Sequence, residues 1–414
     1  MFGEPMISTA NLADLIPLNA VWAGERECPC PFYPPHSPPL MQVASGSTPF
    51  RFNLHFGDIG HTLVFGPTGS GKSTLLALIA AQFRRYPGAQ VFCFDKGLAM
   101  YPMTIAVGGD HYDVGDDVSL AFCPLSELDT DGDRAWASEW IEILIEMQGV
   151  KITPEHRNAI STQIRLLSTQ KRRSLTHFVQ GVQRQDIKDA LHHYTTDGPM
   201  GHLLDAEEDT LTFSNFMCFE IEQLMNMGER NLVPILLYIF RRIERRLTGA
   251  PSIIILDEAW LMLGHEMFRD KIREWLKVLR KANCGVMLAT QSISDADKSG
   301  IMDVLKESCP TKICLANGEA ADSETRSFYQ KLGFNDRQIQ IVANAIPKRD
   351  YYVVSPMGRR LFHMDLGPLT LSFVGASGKE DLKRVKQLRH DHGDEWSVAW
   401  LEERGVEHAE ALLG

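Results

Sequence analysis

The stretch that decides the fold is HTLVFGPTGSGKSTLLALIA, residues 61–80. It opens with a short apolar run, HTLVF, which suits a buried strand, and closes on KSTLLALIAAQF, which suits a helix. Between them GPTGSGKS (66–73) satisfies G-x-x-x-x-G-K-[ST]. Glycines there let the backbone wrap closely, so that its N–H groups point at phosphate oxygens. The following helix offers the positive end of its dipole to the same anion. The reading assigns Gly66, Thr68, Gly69, Ser70, Gly71, Lys72, Ser73 and Thr74 to a nucleotide. Lys72 reaches the β- and γ-phosphates and Ser73 holds a metal ion. The expected ligands are ATP and Mg²⁺.

A second segment, IIILDEAW (253–260), delivers an acidic pair to the end of an apolar strand. Asp257 is the expected metal-side acid. Glu258 is the expected group that orients and polarises an attacking water, which implies hydrolysis rather than transfer to a small molecule. A third, GVMLATQS (285–292), ends in a polar amide. Gln291 there can contact the γ-phosphate or the water and report hydrolysis to the rest of the molecule; the plain alternative is a strand-end cap. Asp95, in CFDKG, ends a further strand and either lines the same edge or serves as a turn residue.

Other apolar strand runs are QVFCFD (90–95), FMCFEI (216–221), TKICLA (311–316) and YYVVS (351–355). Strands alternating with helical stretches predict an α/β fold with a mostly parallel sheet. Ligands of such sheets bind at the carboxyl ends of the strands. The expected fold is therefore a RecA-like P-loop NTPase. Between residues 131 and 209 strand signals stop, and three helical stretches predict an all-helical insert subdomain. One begins at Thr153, before Pro154 and Glu155. The expected organisation is a proline-rich lead-in over 1–48, the nucleotide-binding domain over 49–130 and 210–375, the insert over 131–209, and a helical tail over 376–414. EMFRDKIREWLKVLRKAN (266–283) reads as an amphipathic helix with Phe268, Ile272, Trp275, Leu276 and Leu279 on one face.

The composition is that of an ordinary globular chain: 44% of the 414 residues are hydrophobic and 23% charged. The longest apolar candidate for a membrane span, NLVPILLYIF (231–240), contains a proline and falls short of the roughly 20 residues a span requires. It reads as a buried helix. The start of the chain has no signal-peptide pattern, so a cytoplasmic location is expected. The eight cysteines are scattered, as for reduced thiols. Cys28, Cys30 and His36 lack the spacing of a zinc knuckle, and CPCPFYPPHSPP reads instead as an extended proline-rich linker. A net charge of −11 disfavours, without excluding, a nucleic-acid grip.

Motors of this type hydrolyse at subunit interfaces, where a neighbour's arginine raises the rate about 10³–10⁵-fold. Arg280, Arg326, Arg349, Arg359 and Arg360 are the candidates for that role.

The ordered set FGPTGSGKSTLL, FDKG, IIILDEAW, WLKVLRKANCGVMLATQS and YYVVSPMGRRLFHMDLGP resembles the C-terminal ATPase domain of the TrbE-like conjugal-transfer ATPases, over roughly residues 50–370. These are the large cytoplasmic ATPases of type IV secretion systems. The resemblance implies a motor that powers pilus assembly and substrate transfer, peripheral to the bacterial inner membrane. It implies inner-membrane and cytoplasmic secretion components as partners, and a homo-oligomer, hexamer or dimer. Family members are longer and carry a domain before the ATPase, so the chain is expected to lack that domain. A DNA-translocating ATPase of the coupling-protein type is the alternative. It predicts a strongly basic loop and N-terminal membrane helices. A third reading is an assembly scaffold with little turnover, against which Glu258 argues.

Overall fold

A computed structural model describes residues 8–9, 21–43, 48–115, 119–259, 263, 265–291 and 300–413. Two short strands, β1 (Met41–Val43) and β2 (Phe50–Phe52), form an antiparallel ribbon. The remaining strands form one sheet. In chain order they are β3 (Thr62–Phe65), β4 (Gln90–Asp95), β5 (Asp110–Asp113), β6 (Phe216–Glu220) and β7 (Ser252–Leu256), then β8 (Cys284–Thr290), β9 (Thr311–Leu315), β10 (Asp350–Ser355) and β11 (Gly358–His363). The sheet has nine strands in the order β11-β10-β9-β3-β8-β7-β4-β6-β5. From β9 to β5 every pairing is parallel. At the other edge β10 runs antiparallel to β9, and β11 to β10.

The sheet is covered on both faces, which is why its central strands are apolar without a break. Successive side chains point to opposite faces, and the core divides accordingly. One face holds Leu63, Phe65, Phe92 and Phe94 against Trp140, Phe240 and Trp275 of the covering helices. The other holds Val64, Val91, Cys93 and Ile255 against Leu75, Ile79 and Phe83 of the helix Lys72–Phe83. Tyr33, Leu40, Phe50 and Phe52 pack into that second cluster. Residues 28–43 are therefore not an extended linker. They turn at 31–36 and dock on the sheet because their aromatic and aliphatic side chains gain burial there. All eight cysteines are free thiols, and among the described residues no group of His, Cys, Asp or Glu is arranged to hold a metal ion.

Between β5 and β6 the chain forms helices at Asp131–Met147, Pro154–Ser168, Leu175–Gly181 and Gln185–Leu191. Thr153 caps the second of these, accepting from the His156 amide, with Pro154 in the first turn. The helices share the first apolar cluster with the sheet.

NLVPILLYIF lies in the buried helix Glu229–Arg246. Pro234 has no N–H to give the carbonyl four residues back, and interior prolines are destabilising for that reason. Here the hydroxyl of Tyr194 donates to the orphaned Arg230 carbonyl at 2.8 Å, and Trp140 Nε1 donates to the Pro234 carbonyl at 3.0 Å. The preceding helical region thus repairs the defect in this helix. No helix among the described residues is long and apolar enough to cross a membrane. Beyond β11, helices Pro368–Val374, Lys379–His392 and Trp396–Glu403 gather around Leu382, Val385, Trp396 and Trp400 and pack on Tyr101.

Candidate functional site

The glycine-rich stretch leaves β3 and turns sharply into the helix Lys72–Phe83. Gly69 and Gly71 take φ values of +80° and +99°, where a side chain is strained. Gly71 is also crowded: a Cβ there would lie 2.6 Å from the Tyr351 hydroxyl and 3.2 Å from Lys348 Cα. The loop is tied to its surroundings at both ends. Gly66 N–H donates to the Thr290 carbonyl of β8 at 3.1 Å, and Ser70 O accepts from Lys348 N–H at 2.9 Å.

Strand β7 delivers the acidic pair. Asp257 N–H still belongs to the sheet, donating to the Phe94 carbonyl at 3.0 Å. Its carboxylate accepts from Glu258 N–H at 3.0 Å and from Lys72 Nζ at 2.6 Å. The Lys72 ammonium also donates to the Glu258 carboxylate. Lys72, Asp257 and Glu258 are 7%, 4% and 8% exposed, so this is a buried ion triad. Glu258 has φ +52°, a left-handed conformation rare for a side chain of its size. Such backbone strain gathers at functional sites.

At the end of β8, exposed Gln291 accepts through Oε1 from the Thr68 hydroxyl of the glycine-rich loop. The structure thus brings together the loop, both acids and Gln291 on one cleft of about 670 Å³ at the carboxyl edge of the parallel strands. Trp260 and Ser292, the last residues of two of the motifs, lie outside the described residues.

Asp95 is wholly buried beside this edge. One carboxyl oxygen accepts from Met100 N–H at 2.7 Å. Burial, with the negative charges of Asp257 and Glu220 behind it, pushes its carboxyl up to about 8. Glu220, opposite Asp95 in register, is also raised by burial and accepts from the amides of Gly97, Leu98 and Glu222. Asp95 and Glu220 shape the turn after β4.

The five arginines stand apart from the cleft; none is among its described lining residues. Arg280 pairs with Asp58 at 3.0 Å, Arg326 with Asp336 at 2.8 Å and Arg349 with Asp350 at 3.6 Å. Arg359 is exposed on β11. Arg360 is turned inward, over the Phe50 ring and bonded to the carbonyls of Trp22 and Thr48.

Sequence reasoning missed Lys348, Tyr351, Met364 and Leu366, which line the cleft. They reach it because β10 and β11 reverse direction. The start of β10 and the end of β11 therefore lie at the same edge as the ends of the parallel strands.

Over nearly its whole length this chain resembles proteins of conjugation. It is 70% identical over 417 residues to "Conjugal transfer protein TrbE" of Rhizobium radiobacter, an alignment covering 99% of this chain and 51% of that protein. It is 68% identical over 415 residues to a probable conjugal transfer protein TrbE of Sinorhizobium fredii, covering 99% and 63%.

The chain belongs to the TrbE/VirB4 family.

This TrbE/VirB4-family chain spans about half the length of the curated relatives it matches. A family model described as "TraG P-loop domain" matches residues 165–351. "Type IV secretion system protein virB4" of Bartonella henselae is 26% identical over 372 residues, covering 87% of this chain and 47% of that protein. The solved structure of VirB4 of Thermoanaerobacter pseudethanolicus aligns with a TM-score of 0.64 at 13% identity, covering 80% of this chain and 98% of that one. That likeness establishes a shared α/β P-loop fold.

Proposed function

We propose that this chain is the ATP-hydrolysing motor core of a conjugative type IV secretion machine. It would power pilus assembly and substrate transfer through protein partners on the cytoplasmic side of the bacterial inner membrane. The observation that carries this reading is the triad of Lys72, Asp257 and Glu258 inside the cleft formed by the glycine-rich loop. The names of its relatives support the setting.

Phosphates entering the cleft compete with Asp257 and Glu258 for the Lys72 ammonium. The lysine is held 7% exposed at the helix N-terminus, so it meets the anion with little water to displace. The donors also fit Mg²⁺, which prefers hard oxygen ligands. The Asp257 carboxylate and the Ser73 hydroxyl line one cleft and would hold the ion, which when bound neutralises charge on the phosphates. Freed from Lys72, Glu258 is placed to accept a proton from an attacking water. Gln291, bonded to Thr68, links the loop to the end of β8 and is suited to relay the state of the site.

One of Arg280, Arg326, Arg349, Arg359 and Arg360, from a neighbouring copy, would complete the site in a hexamer or dimer. Arg360 would first have to leave its inward contacts.

ATP turnover measured against protein concentration, with and without single- and double-stranded DNA, tests the reading. Specific activity that rises with concentration and ignores DNA is expected. Stimulation of several-fold by DNA would favour a DNA-translocating motor. Bound nucleotide without turnover would favour an assembly scaffold.

A further inference from the structure

Lys348 sits on the cleft with Lys72 but far from the glycine-rich loop in sequence. Its placement is tightly determined. Its N–H donates to the Ser70 carbonyl at 2.9 Å, and its Cα lies so near Gly71 that a Cβ on the glycine would be 3.2 Å away. Its φ is +63°. For a lysine this left-handed conformation is unfavourable and persists only where the surroundings over-determine it. They do: Asp350 closes the turn, its carboxylate accepting from Ile346 N–H at 2.9 Å and its N–H donating to the Ile346 carbonyl at 2.9 Å. Met364 N–H, beyond β11, donates to the Arg349 carbonyl at 3.3 Å. The strain thus holds a flexible cationic side chain beside the loop that would grip phosphate.

Charge points the same way. Lys72 is already held by two carboxylates, and Arg349 pairs with Asp350. Among the described residues Lys348 forms no ion pair, and its side chain is exposed. A polyphosphate in the cleft brings several negative charges next to it. An ammonium on a long stem recognises phosphate as a point charge.

We propose that Lys348 is a phosphate-binding residue of the nucleotide site, supplied by the same chain from the turn before β10. This rests on the reading of the cleft as a nucleotide site. Lys348 stands on the opposite side of the loop from Asp257 and Glu258, since β10 and β7 flank β3 from different sides. The phosphates are therefore gripped between two lysines.

The test compares binding of ADP and of inorganic pyrophosphate to the wild-type chain and to variants Lys348→Gly, Lys348→Gln and Lys348→Arg, with Lys72→Ala as reference. Glycine keeps the positive φ and removes the charge; glutamine keeps the length and removes the charge. Both are expected to weaken ADP and pyrophosphate alike by about tenfold or more, the loss of one charge-assisted contact. Arginine should restore most of that loss. The melting temperature of Lys348→Gly without nucleotide should match that of wild type. Wild-type affinity in Lys348→Gly or Lys348→Gln, with affinity lost in Lys72→Ala, overturns the proposal and leaves the nucleotide site standing. Wild-type affinity in Lys72→Ala as well overturns the nucleotide reading itself. Weakened ADP with unchanged pyrophosphate would place Lys348 at the base or sugar and also overturn the proposal.

Discussion

Lys72 donates to the Asp257 carboxylate at 2.6 Å, joining residues 185 positions apart at the ends of β3 and β7. The same ammonium reaches Glu258. A lysine that would serve a phosphate thus also holds the two acids that would serve the metal ion and the water. Replacing Lys72 with alanine should therefore do two things. ATP affinity should fall by roughly 10- to 100-fold, as expected for lost charge-assisted contacts. The protein should also lose about 3 kcal/mol of stability, because two buried carboxylates are left uncompensated. Equilibrium binding and urea unfolding would check the pair of effects.

Gly71→Ala should be damaging for a backbone reason. The new Cβ would sit at φ +99° and 2.6 Å from the Tyr351 hydroxyl. Strain of about 1–3 kcal/mol is expected, and relieving it means moving the loop away from Lys348. Nucleotide affinity should fall together with the melting temperature. By contrast Gly69→Ala meets no atom within 4 Å and should carry only the penalty of its φ, +80°.

Asp95 gives the site's edge a pH dependence. In the unfolded chain its carboxyl titrates near 3.8, and in the fold burial raises it to about 8. Between those values the folded protein keeps a proton that the unfolded chain has released. Stability from this group is therefore full below about pH 4, falls as pH rises, and levels off above about 8. Asp95→Asn, which can still accept from Met100 N–H, should gain on wild type across that window by at most about 1.4 kcal/mol per pH unit. Urea unfolding of both proteins at pH 5.5 and 7.5 would show it. A constant difference between them would contradict the assignment.

Much of this was legible in the sequence, for physical reasons. Strands covered on both faces must be apolar throughout, so β3, β4, β6, β7, β8, β9 and β10 announce themselves. The glycines around Lys72 are demanded by positive φ and close approach, which is why that motif reads reliably. Phe268, Ile272, Trp275, Leu276 and Leu279 are all buried, as their spacing required. The edges were harder. Strand β5 is DHYD, partly exposed and without an apolar run. Strand β11, GRRLFH, reads as a motif rather than a strand. The reversal of β10 and β11 leaves no local signal, because it is set by which edge of β9 is open. Lys348 and Leu366 could not be placed on the cleft for that reason. Nor could the docking of residues 28–43, where prolines mask the apolar contacts made by Tyr33 and Leu40.

Tyr194→Phe should separate stability from function. It removes the hydroxyl that satisfies the Arg230 carbonyl opposite Pro234. An unsatisfied buried carbonyl costs about 1–3 kcal/mol. The variant should unfold at lower urea and bind ATP as wild type does. Adding Pro234→Ala returns an N–H to the helix and should recover most of the loss, a coupling that a double-mutant cycle would measure.

The most direct measurement is ATP binding and ATP turnover by Glu258→Gln beside the wild-type chain, at concentrations where wild type is active. The amide keeps the size of the side chain and cannot take a proton from water. Turnover should fall by about 100-fold or more, while ATP is bound within a few-fold of wild-type affinity. A Glu258→Gln variant that hydrolyses ATP at the wild-type rate would contradict the account of this cleft as a hydrolytic motor site.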